Sequence, residues 1–378
     1  MSYALLTLWF DRQRYLPGVL AVAFSALLIA LQCGLLFGLL AVTSIPIDRA
    51  AADVWIGSPK VLSVDVNQTI SMSKMVPRLD GLPEIDRVEP YILSFGKWEK
   101  PAGGTDLCIV IGTQLDDDSL GAVPELTPEL RSLLTETDTV VVDESELERL
   151  DVQGVGDTAK IQGRTVRIVG TVAGMKSIAG PYIFCSLPTA RLILRFNPDQ
   201  ATYILGKCKD PKDAEPLVAR LKEEYVTEIP PDMSAFSKAE FSRRSRMHWL
   251  MKTKAGIALG YAAFLGLVVG AVVTSQTLYA ATMASVREYA ILLALGIPRW
   301  RIGGTVVTQS FWIGILGVLV SFPAIFGMAH LATYLGVTPQ LGPELLAGAS
   351  AVTLFMAVCS GGIALRSLRQ IEPINLLR

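Results

Sequence analysis

The sequence predicts a membrane α-helical protein with one inserted α+β extracytoplasmic domain. Four transmembrane helices are expected, the first and second extended beyond the bilayer as a stalk. Three observations predict this. Charge is scarce, at 18% of 378 residues, while 51% of residues are hydrophobic; soluble domains usually carry about 25% charge. The charge is also segregated: 57 of the 69 Asp, Glu, Lys and Arg residues lie between Ile47 and Lys254. The charge-poor remainder contains runs long enough to cross a bilayer, which takes about 20 apolar residues in a helix. A uniform soluble fold is thereby excluded.

Tyr15 to Ile47 holds no charged residue and forms the first span, with residues 1–46 taken as a short N-terminal segment plus that span. It is too long for a signal peptide, whose apolar region is about 7–15 residues, and reads as an uncleaved anchor. Residues 47–236 form the outer domain. Thr139–Val142, a hairpin of Thr158–Ile161 and Thr165–Val169 turning at Gln162–Gly163, Tyr182–Phe184 and Thr202–Leu205 read as strands. Glu144–Leu150 and Asp213–Tyr225 read as helices.

The stalk and second span occupy 237–286. Ser237 and Glu240 have capping-box spacing, and Phe236 and Phe241 stand where a hydrophobic staple would close. A helix starting there meets no strong stop before about Ser285, a length of roughly 70 Å against a hydrocarbon core of ~30 Å. A continuous stalk is the expected reading; a break near Gly256 is the other. Residues 287–301 connect the second and third spans. The third span, 302–335, is kinked at Pro323, a short loop follows at 336–344, the fourth span is 345–365, and 366–378 is a tail. Splitting the third run would give five spans. Arg12 and Arg14, then Arg287, Arg299 and Arg301, then Arg366, Arg369 and Arg378 favour four, because four place all three basic segments on the cytoplasmic side.

Catalytic equipment is missing from the sequence. Gly206–Lys207–Cys208 is not a phosphate-binding loop, and Gly154–Val155–Gly156 leads into a strand rather than a dinucleotide-binding helix. Asp116–Asp118 reads as a solvated loop. The two histidines, His248 and His330, have no metal-ligand spacing around them, so no metal site is expected. Cys108, Cys185 and Cys208 in the outer domain leave one disulfide plus a free thiol, or none, both open.

Two clusters stand out. Arg243, Arg244, Arg246, Lys252 and Lys254 lie just before the second span. Snorkelling toward lipid head groups, contact with an anionic substrate, and pairing with the acidic outer domain are the three readings. Arg243 and Arg246, three apart, share a helix face that Arg244 does not. The second cluster is the connecting segment, where a short helix with Ile291, Leu292 and Leu295 as its apolar stripe ends at Gly296, with Pro298 beyond. It suits a connector, or a helix docking into a partner's groove.

That segment resembles the coupling region of MacB/FtsX/LolC-type ABC permeases, in which an Arg-Glu pair precedes an apolar stretch and Ala-Leu-Gly. Val141–Ser145, Leu150–Asp157 and Val169–Val172 resemble the family's outer domain, and Pro373–Arg378 its Pro-x-x-x-Leu-Arg tail. Ala30–Gly34, Asp53–Ile56 and Ser275–Tyr279 are similar to DevC-type export permeases. The resemblance implies a MacB-like periplasmic domain, a periplasmic stalk, both termini cytoplasmic, and a multi-pass protein of the bacterial inner membrane. It implies a homodimer, two copies of a cytoplasmic ABC ATPase that use ATP and Mg²⁺, and often a periplasmic membrane-fusion adaptor with an outer-membrane channel. This chain itself would bind no cofactor, no ATPase site and no nucleic acid, and would contact membrane lipid. Arg287, Glu288, Tyr289, Ile291, Leu292, Leu295, Gly296 and Arg299 would couple to the ATPase. Export of a lipid, glycolipid, drug or other amphiphile by mechanotransmission is the implied function. The alternative is a non-transporting, FtsX-like signal transmitter that activates a periplasmic partner such as a cell-wall hydrolase.

Overall fold

A computed structural model describes residues 12–59, 61–226, 233–285, 288, 291–292, 295–334 and 339–368. The chain divides into two compact units, 1–39 with 254–378 and 40–253.

Among the described residues of the first unit and its continuation to Val42, four helices are long and apolar enough to cross a membrane: Gln13–Val42, Lys254–Ala284, Trp300–Tyr334 and Pro343–Gly362. They belong to helices α1 (Arg12–Val42), α9 (Lys254–Ala284), α10 (Arg299–Tyr334) and α11 (Pro343–Leu368). The third apolar run is thus one helix with Pro323 inside it, not two spans. Without a hydrophobic force between helices in lipid, close packing of small residues and interhelical hydrogen bonds hold such bundles. Ser25 Oγ donates to the Gly270 carbonyl at 3.1 Å and lies 3.0 Å from Thr274 Oγ1. A Cβ on Gly317 would come within 2.6 Å of Val22, so only glycine allows α1 and α10 to approach this closely.

Among the described residues of the second unit there are eleven strands. They are β1 (Val54–Gly57), β2 (Ile70–Ser71), β3 (Ile85–Glu99), β4 (Thr105–Thr113), β5 (Thr139–Asp143), β6 (Thr158–Ile161), β7 (Arg164–Val172), β8 (Tyr182–Ser186), β9 (Gln200–Ala201), β10 (Tyr203–Cys208) and β11 (Ser234–Ser237). Between them run helices α2 (Ile45–Arg49), α3 (Met72–Asp80), α4 (Pro128–Leu134), α5 (Leu147–Leu150), α6 (Leu187–Leu194) and α7 (Ala214–Leu221); α8 (Lys238–Lys252) follows β11.

Nine strands form one sheet in the order β11-β1-β10-β3-β4-β8-β5-β7-β6. Its organiser is β3, fifteen residues long. The first half of β3 pairs with β10, from Ile85 to Tyr91; the second half, from Ile92, pairs with β4. Trp98 and Glu99 then pair with Ile161 and Lys160 of β6, which closes β3, β4, β8, β5, β7 and β6 into a ring. Trp98 is fully buried at this closure, and its indole N–H donates to the Leu150 carbonyl at 3.0 Å. Helix α6 lies close on the sheet because Gly112 of β4 faces it; a Cβ there would be 2.3 Å from that of Ala190. The turn between β6 and β7 has positive φ at both Gln162 (51°) and Gly163 (79°), the backbone a tight two-residue hairpin requires.

Helix α8 begins as the sequence predicts. Ser237 Oγ accepts from the Glu240 N–H at 3.3 Å, and Phe236 stacks on Phe241 with ring centroids 4.9 Å apart. The Glu240 carboxylate does not reach back to the cap but pairs with Lys222 Nζ at 2.5 Å. The expected continuous stalk is corrected. Helix α8 ends at Lys252, Thr253 is extended (φ −98°, ψ 146°), and α9 starts at Lys254. The Thr253 hydroxyl donates to the Trp249 carbonyl at 2.6 Å. The break falls three residues before Gly256, near the place the other reading gave it. The first helix likewise stops at Val42, and Thr43 Oγ1 donates to the Leu40 carbonyl at 2.7 Å. The expected helix at Asp213–Tyr225 is α7, followed by a wider turn over Lys222–Val226.

The open disulfide question resolves to none: Cys108, Cys185 and Cys208 are buried free thiols. Burial pushes the Cys108 thiol up to about 12 and that of Cys208 to about 11, and raises Cys185 as well. Thiolate is the reactive form, so these three are expected to resist N-ethylmaleimide at pH 7.5 in the native chain and to react once it is unfolded in detergent. Rapid native labelling at Cys108 or Cys185, read by peptide mass spectrometry, would contradict this.

Candidate functional site

Between α9 and α10 the described residues build a short turn structure with a defined end. Glu288, Ile291 and Leu292 are helical, and Gly296 sits at φ +86°. The Leu295 N–H donates to the Ile291 carbonyl at 3.0 Å, and the Ile297 N–H to the Leu292 carbonyl at 3.1 Å. A left-handed glycine followed by such a six-to-one bond is the Schellman ending, which usually brings an apolar contact with it. Here Leu292 and Ile297 pack on Ile302 and Val306 of α10. Leu292 is therefore committed to the chain's own packing, whereas Ile291 (47% exposed) and Leu295 (74% exposed) face outward. The predicted single stripe is split in two.

Glu288 has a partner within the chain. Arg14, at the start of α1, donates to its carboxylate at 2.7 Å, and the neighbouring Tyr15 hydroxyl lies 3.4 Å from Ser285 Oγ. The segment is thus tied to the first helix at two adjacent residues. An open groove of about 720 Å³ runs beside it, lined by Tyr15, Glu288, Ile291, Arg301 and Gln309 among others. Arg301 lies over the ring of Trp300, which is 73% exposed. Arg287, Tyr289 and the side chain of Arg299 lie outside the described residues, as does the tail from 369 onward. Arg14, Tyr15, Ser285 and Trp300 were not singled out from sequence as coupling residues, because a pair 274 positions apart leaves no local spacing signal.

The basic cluster divides along the faces that helical spacing dictates. Arg246 donates from Nη2 to Asp48 at 2.6 Å and from Nε to Ser44 Oγ at 2.8 Å. Arg244 points elsewhere: Nε donates to the Val61 carbonyl at 2.9 Å, and its guanidinium lies 5.2 Å from the Phe236 ring centre. Arg243, Lys252 and Lys254 are exposed. Arg246 thus pairs with a carboxylate of the outer domain, whereas Arg244 bonds a backbone carbonyl and lies on an aromatic face. The Arg246–Asp48 pair keeps 42% and 34% of its side chains exposed, so Arg246→Ala is expected to cost no more than about 1 kcal/mol. Thermal unfolding of the full chain in detergent measures it, and a loss several times larger would contradict this account. No cluster of three metal-ligating side chains occurs among the described residues. Asp116, in the acidic run, pairs with Arg87 at 3.2 Å.

Comparison with known proteins places these features in a family. Residues 19–224 match the MacB-like periplasmic core domain, more than half of the chain, and residues 260–373 match the FtsX-like permease C-terminal domain. An uncharacterized ABC transporter permease of Methanocaldococcus jannaschii is 26% identical over 242 residues, covering 59% of this chain and 57% of the relative. The chain thus matches little more than half of that relative's length. The periplasmic region of MacB from Actinobacillus actinomycetemcomitans is 15% identical over 52% of this chain and 94% of its own, with a TM-score of 0.35. The extracellular domain of the ABC-type transporter YknZ from Gram-positive bacteria is 8% identical over 49% of this chain and 99% of its own, with a TM-score of 0.32. On the two family matches, which between them take in the outer domain and the three later spans, the chain belongs to the MacB/FtsX-type ABC transporter permeases.

Proposed function

We propose that the chain is the membrane subunit of an ABC exporter that works as a homodimer with two copies of a separate cytoplasmic ATPase. It would carry no ATPase site of its own; ATP and Mg²⁺ belong to the partner. Both termini and the 287–301 segment would be cytoplasmic and the 47–236 domain periplasmic, in the inner membrane. A lipid, glycolipid, drug or other amphiphile is the cargo this reading favours, handed to a periplasmic adaptor and an outer-membrane channel as in the DevC-type permeases that Ala30–Gly34 and Asp53–Ile56 resemble.

The observation that carries the reading is the outward pair Ile291 and Leu295 on a turn tied to α1 through Arg14–Glu288. Apolar side chains on a turn with a fixed ending offer a partner a rigid knob, and any push on that knob reaches the first helix directly through the ion pair and through Tyr15. This is the physical content of mechanotransmission: closure of the ATPases moves the turn, the helices shift, and the outer domain works on its target without the cargo passing between the spans.

Reconstitution tests it. The purified chain alone is expected to hydrolyse no ATP, and the chain with its ATPase to hydrolyse it and to move an amphiphile between leaflets. Hydrolysis by the chain alone at the rate of the complex would overturn the reading. ATP-dependent activation of a cell-wall hydrolase without amphiphile movement would replace export by the signal-transmitter alternative.

A further inference from the structure

The base of α8 forms one wall of an open groove of about 640 Å³ whose other wall is the exit of α1. Three cations line it, Lys238, Arg243 and Arg246, against a single carboxylate, Asp48. Asp48 is already engaged, because it accepts both from Arg246 at 2.6 Å and from Ser44 Oγ at 2.7 Å. Arg246 and Asp48 form a pair, so the groove lining keeps two cations in excess, with the charge of Lys238 partly offset by Asp48 and Asp53. Lys238 Nζ donates to the Ala50 carbonyl at 2.7 Å, an uncharged acceptor. Arg243, exposed at the rim, has no hydrogen bond or ion pair to any described residue.

The remaining surface is apolar. Leu40, Met247 and Leu250 complete the lining. Leu40 belongs to the last turn of the first candidate span, and Leu250 precedes the start of the second by four residues. Both walls thus come from chain at the edge of a membrane-crossing stretch, where head groups and the upper part of lipid chains lie.

We propose that this groove binds the anionic head group of an amphiphile, with the charge on Arg243 and Lys238 and the chain along Leu40, Met247 and Leu250. A guanidinium offers the planar donor fork that suits phosphate or carboxylate, and a half-buried ammonium adds a point charge beside it. Burial pulls the Lys238 ammonium down from its ordinary range, with Asp48 and Asp53 opposing; an anion arriving in the groove would relieve that cost. The apolar lining separates this ligand from a free phosphate, which has nothing to place there. The inference goes beyond the export reading and stands without it, since binding needs neither ATP nor an ATPase.

The test uses the full chain purified in a neutral detergent and a fluorescent-tailed lysophosphatidylglycerol, with lysophosphatidylcholine of the same tail as the zwitterionic control. Saturable binding at least about tenfold tighter for the anionic probe is expected, since each basic residue near an anionic surface adds roughly a further several-fold. Arg243→Gln, on the exposed rim, should weaken binding about fivefold with the melting temperature unchanged. Arg243→Lys should retain most of it, and Lys252→Gln, outside the groove, all of it. Equal affinity for the two probes, or indifference to Arg243→Gln, would overturn the proposal. So would displacement of the probe by inorganic phosphate, or by an acidic peptide, at concentrations where the unlabelled amphiphile fails to displace it. Two sources of such a head group are separable with the same probe: release on ATP hydrolysis by the assembled complex marks a cargo, and retention marks a resident bilayer lipid. Either result supports the head-group site.

Discussion

Replacing Glu89 by alanine is expected to destabilise the outer unit by about 2–6 kcal/mol, the cost of leaving two backbone N–H donors without their acceptor at about 1–3 kcal/mol each. Glu89 lies on β3 and has no solvent exposure. Its carboxylate is fully engaged with uncharged donors. Oε1 accepts from Ser119 Oγ at 2.7 Å, the Gln114 N–H at 3.2 Å and Thr113 Oγ1 at 3.3 Å; Oε2 accepts from the Leu120 N–H at 2.6 Å. These donors belong to the end of β4 and the chain that follows it. Leu120 in turn accepts from the Ala51 N–H at 2.8 Å through its carbonyl, so the same loop is fastened to the chain before β1. Alanine would leave backbone N–H groups buried and unpaired, each costing about 1–3 kcal/mol. Glutamine should be milder, because it keeps one acceptor while turning an amide N–H₂ toward the remaining donors. Thermal unfolding of the full chain in detergent gives the ranking, and limited proteolysis over 114–123 locates the damage. An alanine variant within about 0.5 kcal/mol of the parent, the ordinary range of surface substitutions, would show that this loop does not depend on the carboxylate.

Glu89 also marks the boundary of what the sequence discloses. In the string Arg87–Val88–Glu89–Pro90 it looks like a surface acid, and nothing local predicts that a loop thirty residues later will supply its donors. Features set by neighbours in sequence are legible: the Ser237 cap, the Phe236–Phe241 stack, the Gln162–Gly163 turn and the four apolar helices all follow from short-range rules. The missed strands, β1, β3, β4 and β11 with the two-residue β2 and β9, include one with a different cause. Strand β3 serves two partners in succession and is buried without alternation from Glu89 to Leu93, alternating only toward its end, so no single period runs along it. The helix break at Thr253 follows the second reading of the stalk, a break near Gly256, rather than the continuous one. The site shows the same division. Gly296 as the end of the short helix before α10 was readable. That Glu288 is held by Arg14 and that Leu292 faces inward were not, since the first depends on a residue 274 positions away and the second on how the next helix packs through Ile302 and Val306.

That inward turn of Leu292 decides which substitution interrogates the ATPase contact. Leu292→Asp would place a charge against Ile297, Ile302 and Val306 and damage the chain itself, so its failure to assemble would say nothing about a partner. Leu295 is 74% exposed and Ile291 is 47% exposed; Leu295→Asp removes no packing that the chain makes for itself. It is expected to weaken co-purification with the ATPase by at least about 2 kcal/mol, roughly thirty-fold, the loss typical of an anchor residue in an interface. Stimulated ATP hydrolysis should fall in parallel while the thermal unfolding of the isolated chain stays unchanged. Glu288 gives the companion measurement. Glu288→Lys sets two cations against each other at the Arg14 contact, now 2.7 Å between opposite charges, and Arg14→Gln removes the same pair from the other side. If Glu288 works by holding the turn on α1, both substitutions should lower coupling by a similar factor and leave binding of the ATPase largely intact. A defect confined to Glu288→Lys, with assembly lost, would instead assign the carboxylate to the partner's surface. Unimpaired assembly and unimpaired stimulation in Leu295→Asp would remove the outward turn from the interface and with it the observation on which the coupling reading rests.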